Sequence, residues 1–336
     1  MTRNHFRLFA TLLIAALFAA CQPEGSTTTT PTVESVQPQL APAPLFNSDS
    51  AYVYVAKQVA FGPRVPGTAA HKACGDWLVE KLKSYGARVI EQNAQVTIYN
   101  GQQVPMRNII ASWQPDNKNR VLLFTHWDAR PFADQDSVRK NEPIDAANDG
   151  GSGTAILLEL ARHLASVPPQ IGVDIFLNDV EDMGEPEGAM GADQSSSIDT
   201  WCLGTQYWTK NPHVSNYKAR FGILLDMVGS KDAVFPRESY SMQYAPNVVN
   251  KVWKAAAATG HGDRFLSETR NFVGADDHVF VNQNIGIPSI DIIAWDPATG
   301  RFPSSWHTHS DNMAGIDKET LQAVGATLAQ VVWTER

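Results

Sequence analysis

Apolar positions along the chain follow two rhythms. Over residues 48–60 and 68–83 they recur at helical spacing, as at Ala69, Trp77, Leu78 and Leu82, with Ser48 or Ser50 and then Thr68 placed to cap the two helices. Gly62-Pro63-Arg64-Val65-Pro66-Gly67 between them breaks any helix. Residues 87–98 and 106–113 alternate instead with a period of two, and Asn100-Gly101 between them is a hairpin signal. Short apolar runs predict strands over 120–125, 171–177, 219–225 and 287–293. Further helices are predicted over 154–164, 246–259 and 318–333, with a shorter one opening at Asp276-Asp277-His278. The stretch from the end of the 171–177 strand to Pro212, which holds Trp201, Tyr207 and Trp208, reads as irregular. Buried strands alternating with helices predict an α/β domain, three-layer α/β/α, around a central mixed, largely parallel sheet. No internal repeat is visible.

The predicted strands end on chemistry. Asn178-Asp179-Val180-Glu181-Asp182 follows the run 171–177, at the carboxyl end of a strand, where open α/β sheets place their ligand crevices. Acids so closely spaced repel one another unless a cation or hydrogen-bond donors offset them. A solvated acidic turn is the alternative for this pair alone. His126 and Asp128 close the strand over 120–125, Asp226 closes that over 219–225, and His307 follows the last one. Asp149 joins from Asn148-Asp149-Gly150-Gly151-Ser152-Gly153, a loop that turns into a helix. That loop lacks the Lys-Ser/Thr ending of a phosphate-binding loop and the glycine spacing of a dinucleotide fingerprint. A lone histidine or acid is ordinary, but their recurrence at strand ends points to one crevice. Carboxylates with imidazole and no thiolate suit zinc in a catalytic site.

Composition adds the setting. A chain of 336 residues, 43% hydrophobic, buries a large core, and nothing marks a second folded unit. Arg3 and Arg7, an apolar stretch over 8–20 and the small residues before Cys21 describe a secretory signal over 1–20. Cysteine directly after Ala19-Ala20 resembles the lipobox of bacterial lipoproteins, in which Cys21 becomes the acylated first residue; Phe18 departs from that motif, and ordinary cleavage near Ala20 is the alternative. Residues 21–45, rich in Thr, Pro, Ser and Gln, read as a flexible tether, leaving 46–336 as the catalytic domain. The expected location is the periplasmic face of a bacterial membrane, lipid-anchored. Without Arg3 and Arg7 the 27 basic residues become a still smaller match for the 35 acidic ones, and no basic patch interleaved with aromatics argues for nucleic acid. Cys74 and Cys202 read as buried thiols, with a disulfide between them as the alternative.

His126-Trp127-Asp128, Asn148 to Gly153, Glu181-Asp182, Leu225-Asp226 and Trp306-His307-Thr308 match, in order, the site segments of the zinc aminopeptidase and glutaminyl cyclase superfamily. The chain resembles that superfamily over most of its length after the tether. The resemblance implies a phosphorylase/hydrolase-like fold, zinc (Zn2+) held by Asp149, Asp182 and His307, and Glu181 as general base. Asp182 stands where the cyclase pattern more often has Glu. The aminopeptidase branch holds two zincs, with the positions of His126 and Asp226 completing the second site. The cyclase branch holds one zinc and uses the acid at Asp226 for the substrate. Trp306 directly before His307, and Asp276-Asp277-His278, favour the cyclase branch, in which Asp276 shares a hydrogen-bond network with Glu181 and Asp226. Trp201, Phe302 and Trp306 would then wall a pocket for a glutamine side chain, although the segment after Asp182 departs from the cyclase pattern around Trp201. The implied activity is that of a glutaminyl-peptide cyclotransferase, an acyltransferase acting on peptides and exported proteins with N-terminal Gln. A di-zinc aminopeptidase and a peptide-binding module without chemistry are the competing readings.

Overall fold

Two of the predicted apolar runs are strands in which every residue is buried, β3 (Arg120–His126) and β4 (Gly172–Asn178). They lie at the centre of a six-stranded sheet in a computed structural model that describes residues 43–186 and 198–336. The predicted signal segment, Cys21 and the tether as far as residue 42 lie outside the described residues. β1 (Arg88–Thr97) and β2 (Gln103–Trp113) form the predicted hairpin, and β2 runs antiparallel to β4. β4, β3, β5 (Gly222–Asp226) and β8 (Ser289–Ile293) are mutually parallel, giving the order β1-β2-β4-β3-β5-β8. The mixed, largely parallel sheet is therefore as expected.

Alternation along the strands builds the other two layers. Val121, Leu123, Ile175, Ile223 and Ile292 face a large core shared with α1 (Ser48–Val59), α2 (Ala69–Ser84), α3 (Gly151–Ser166), α6 (Pro246–Ala258) and α8 (Lys318–Thr334). Leu122, Phe124, Phe176 and Leu224 face the opposite side, against Trp208 of α4 (Leu203–Lys210) and Val281 of α7 (Asp277–Ile285). Asn47, not Ser48 or Ser50, caps α1 by accepting the Ser50 N–H at 3.0 Å, while Thr68 caps α2 as predicted. α3 starts three residues before its predicted first turn. α4, α5 (Ser239–Tyr244) and a small parallel pair, β6 (Phe235–Glu238) with β7 (Phe265–Arg270), escape the sequence pattern. Pro236 interrupts the first of those strands and the second buries only Phe265, so neither shows a two-residue rhythm. No helix among the described residues is long and apolar enough to cross a membrane.

One buried ion pair ties the starts of β3 and β4. Arg120 donates to both oxygens of Asp174 at 2.5 and 2.7 Å, and the Tyr217 hydroxyl donates to the same carboxylate at 2.6 Å. Removing one partner leaves the other charge buried without compensation. Asp174→Ala is expected to cost about 3–5 kcal/mol in urea-unfolding free energy, and replacing Arg120 and Asp174 together by apolar residues to recover much of that loss.

Candidate metal centre

β4, β3 and β5 are neighbours, and their carboxyl ends bring the site together. His126 is the last residue of β3, opposite Asn178 at the end of β4, and Asp226 closes β5. Beyond β4 the chain turns sharply through Val180, whose φ of 55° lies in the left-handed region. Two buried acids pin that turn. Asp179 accepts from the Arg107 N–H at 2.6 Å and lies 2.9 Å from His71 Nε2, while Asp128 accepts the N–H groups of Glu181 and Asp182, each at 3.2 Å. Asp128 and Asp179 thereby fix the backbone from which Glu181 and Asp182 project.

Asp149 is positioned from the other side. Its N–H and that of Asn148 donate to the two oxygens of Asp311, at 3.0 and 2.7 Å. Gly150 takes a φ of +78°, and a Cβ on Gly153 would lie 2.3 Å from Thr125 Oγ1, so α3 can seat against β3 only with glycine there. His307 also has a left-handed φ, 54°, as do Cys202 and Met227 beside the site. Strained backbone is concentrated where several strand-end residues are aimed at one point.

Asp149, Asp182 and His307 converge, each offering a ligand atom within 4.8 Å of the others. His307 Nε2 lies 3.1 Å from Asp182 Oδ1 and 3.7 Å from Asp149 Oδ2. Asp149 Oδ2 and Asp182 Oδ2 are buried without any hydrogen-bond donor. Two buried carboxylates with open oxygens need a cation, and this all-oxygen-and-nitrogen set fits zinc. His126, Asp149 and Asp226 form a second such group, with His126 Nε2 at 2.9 Å from Asp149 and 3.4 Å from Asp226. Burial disfavours a charged His126, yet its contacts with Asp128, Asp149 and Asp226 outweigh it and raise the imidazole well above its ordinary value.

Glu181 stands beside these groups with its side chain 13% exposed. Burial and then the charges of Asp182, Asp277 and Asp276 push its carboxyl well above the usual range, against the lowering effect of His126. Its Oε1 accepts from the Cys202 thiol at 3.3 Å, and Glu181, Cys202 and Asp276 have their polar atoms within 4.8 Å of one another. Asp276 caps α7, accepting the Asp277 N–H at 2.6 Å. Behind it Asp291, from the middle of β8, has no hydrogen-bond donor on either oxygen, and burial and then the charges of Asp276 and Asp226 push its carboxyl well above the usual range.

Aromatic rings flank His307. Trp306 stacks on its imidazole at 3.8 Å and 24°, and Trp201 lies parallel to it at 6.0 Å and 5°. Phe302 packs on Trp306 at 4.8 Å. The structure thus brings together every site residue proposed from the sequence, Trp201 included. The sequence reading left out Arg130 and Asp134, in the loop after β3, and Asp291, although an acid amid Ser289-Ile290 and Ile292-Ile293 was a visible anomaly. Cys74 and Cys202 are free, buried thiols as expected.

Residues 108–332 match the profile of Peptidase family M28. Among solved structures the chain is similar to a glutaminyl cyclase from Bacteroides thetaiotaomicron bound to N-acetylhistamine, at 49% identity and a TM-score of 0.85 over 88% of this chain and 100% of that one. It is similar also to a Zn-dependent exopeptidase from Parabacteroides distasonis, at 51% identity and a TM-score of 0.83 over 87% and 99% of the two chains. Aminopeptidase YwaD of Bacillus subtilis is 27% identical over 234 residues, 68% of this chain but 44% of its own length, so the match spans less than half of that relative. A shared sheet order would show only architecture, but here the profile covers the segments that carry Asp149, Glu181, Asp182, Asp226 and His307. The chain belongs to Peptidase family M28.

Proposed function

We propose that the protein is a zinc-dependent glutaminyl-peptide cyclotransferase, which converts the N-terminal Gln of peptides and proteins to pyroglutamate and releases ammonia. The observation that carries this reading is the placement of Glu181, which stands directly before Asp182 of the Asp149, Asp182 and His307 group and itself groups with the further carboxyl of Asp276. The similarity to the Bacteroides thetaiotaomicron cyclase supports it.

Asp149, Asp182 and His307 would hold the zinc, which supplies a Lewis acid for the side-chain carbonyl of the substrate glutamine. Glu181 takes a proton from the α-amine as the amine nitrogen bonds to the side-chain amide carbon. The same carboxyl returns that proton to the amide nitrogen as the C–N bond breaks and ammonia leaves. A base for this task needs a pKa raised toward neutrality, which burial and the adjacent acids give Glu181. Asp226 and Asp276 border the same space; Asp226 is the residue for orienting the α-amine, and Asp276 steadies Glu181. Trp201, Trp306 and Phe302 supply apolar walls that fold the side chain back over the amine. Because nucleophile and electrophile belong to one molecule, that folding is the main contribution of the pocket.

The His126, Asp149 and Asp226 group favours a second reading, a di-zinc aminopeptidase of the same fold. Parallel assays with Gln-, Leu- and Ala-derived amide substrates, with ammonia followed directly and zinc counted per chain, separate the two. Ammonia from the Gln substrate alone and a single zinc are expected; release of the Leu or Ala leaving group with two zincs would establish the peptidase. Glu181→Gln is expected to keep its zinc and lose on the order of a hundred-fold or more in kcat. Near-normal turnover in that variant would mean that another group is the base.

The setting proposed for this activity is the periplasmic face of a bacterial membrane. Arg3, Arg7, the apolar stretch that follows and Ala19-Ala20-Cys21 support export with a lipid anchor at Cys21. Cys21→Ser is then expected to move the protein from the membrane to the soluble fraction of the periplasm. A native chain already found in the soluble fraction would remove the anchor from the proposal.

A further inference from the structure

The loop after β3 holds one side chain that reaches Asp182 directly and His307 through Asp134. Arg130 is completely buried, and none of its direct contacts is with Asp149 or Glu181. Its Nε and Nη2 donate to the two oxygens of Asp134 at 2.9 and 2.8 Å, a paired fork. Asp134 in turn lies 3.2 Å from His307 Nδ1, on the ring edge opposite the nitrogen that faces Asp149 and Asp182. The remaining terminal nitrogen, Nη1, donates to the backbone carbonyl of Asp182 at 2.9 Å and of Gly184 at 3.3 Å. Two aromatic rings lie against the guanidinium as well, the Trp201 ring centre at 4.6 Å and that of Phe132 at 4.4 Å.

We infer that Arg130 is a positioning residue that sets how tightly the Asp149, Asp182 and His307 group grips zinc and that fixes the Trp201 wall against His307. The inference rests on the zinc reading above. A histidine bound to a metal through one ring nitrogen is oriented, and made a better donor, by a carboxylate on the other. Asp134 occupies that place, but a buried carboxylate with a free choice of rotamer would do it poorly. Both of its oxygens are claimed by Arg130, so its rotamer is set by the guanidinium fork. Nη1 of the same guanidinium holds the backbone carbonyl of Asp182, so one planar group indexes two of the three ligands against each other.

Charge points the same way. Asp149 and Asp182 are buried and Asp134 beside them has a side chain only 10% exposed, and a dication together with the Arg130 guanidinium matches their three negative charges. Lysine would keep the charge and lose both the fork and the flat faces that stack on Trp201 and Phe132. The role therefore belongs to arginine's shape as much as to its charge.

The test compares zinc dissociation constants by competition with a chromophoric chelator, in the native chain, Arg130→Lys, Asp134→Asn and the double variant. Each single variant is expected to bind zinc about 10–100-fold more weakly. The double variant is expected to lose no more than the weaker single one, because the two residues act along one path. Trp201 fluorescence is expected to become more accessible to a soluble quencher in Arg130→Lys. Unchanged zinc affinity in Arg130→Lys, or losses that multiply in the double variant, would overturn the inference. Should Arg130→Lys not fold, Asp134→Asn decides alone, since it leaves the guanidinium in place and unchanged affinity there also overturns it. A native chain that binds no zinc would sink the zinc reading with it, whereas native binding with unaffected variants would sink only the role of Arg130.

Discussion

The constraint on which the structure depends is the crowding of buried carboxylates at the carboxyl ends of β4, β3 and β5. Asp149, Asp182, Asp276 and Asp291 are buried and Asp226 is largely so, and a fold that merely needed stability would not gather them. Removing such acids from water is unfavourable by several kcal/mol for each ion unless charge or hydrogen bonds compensate. Three kinds of compensation are visible. Backbone N–H groups satisfy Asp128 and Asp311; imidazole and guanidinium face Asp134, Asp149 and Asp182; and for Asp291, which accepts no hydrogen bond, burial and the neighbouring acids favour the neutral form. Among the oxygens left without a partner are one each on Asp149, Asp182, Asp226 and Asp276, and the first two, beside His307, are where a metal fits.

The sheet makes this crowding possible. Parallel neighbours align their carboxyl ends, so residues separated by 52 positions in the chain, as Arg130 and Asp182 are, become adjacent. The all-buried strands beneath then act as a rigid floor. The turn after β4 and the entry to α3 accept left-handed backbone at Val180 and Gly150 because that floor and the anchoring acids outweigh the local strain. Stability is thus spent to hold geometry, as expected where a reaction needs groups placed within a fraction of an ångström.

Much of this was legible in the sequence, and the limits are physical. β3, β4, β5 and β8 were found because a strand buried on both faces writes a nearly continuous apolar run, and the long helices because their apolar residues keep a 3.6-residue rhythm. β6 and β7 were not, since Pro236 and the exposed Glu268 and Arg270 erase any alternation. α4 was hidden because Gly204, Thr205 and Thr209 weaken helical propensity, and tertiary packing such as that of Trp208 on Phe176 sustains it. The site residues were readable one by one, since His126, Glu181, Asp182 and Asp226 each stand at or just past a strand end. Arg130 and Asp134 were not readable, because an arginine near an aspartate in a polar loop is indistinguishable from a solvated surface pair until its burial is known.

The nature of the reaction bears on how many metals the centre needs. A peptidase must make a nucleophile from water, and two cations sharing a carboxylate do that well. A cyclotransferase receives its nucleophile with the substrate, already tethered to the carbon it attacks. In this chain His126 Nε2 lies 2.9 Å from Asp149 and 3.4 Å from Asp226, so the imidazole can serve as the partner of both acids or join them in holding a cation. For a peptidase the three would hold a second cation, which would supply the activation of water. Cyclisation needs no such activation: the imidazole can stay as the partner of Asp149 and Asp226, and Asp226 can meet an amine.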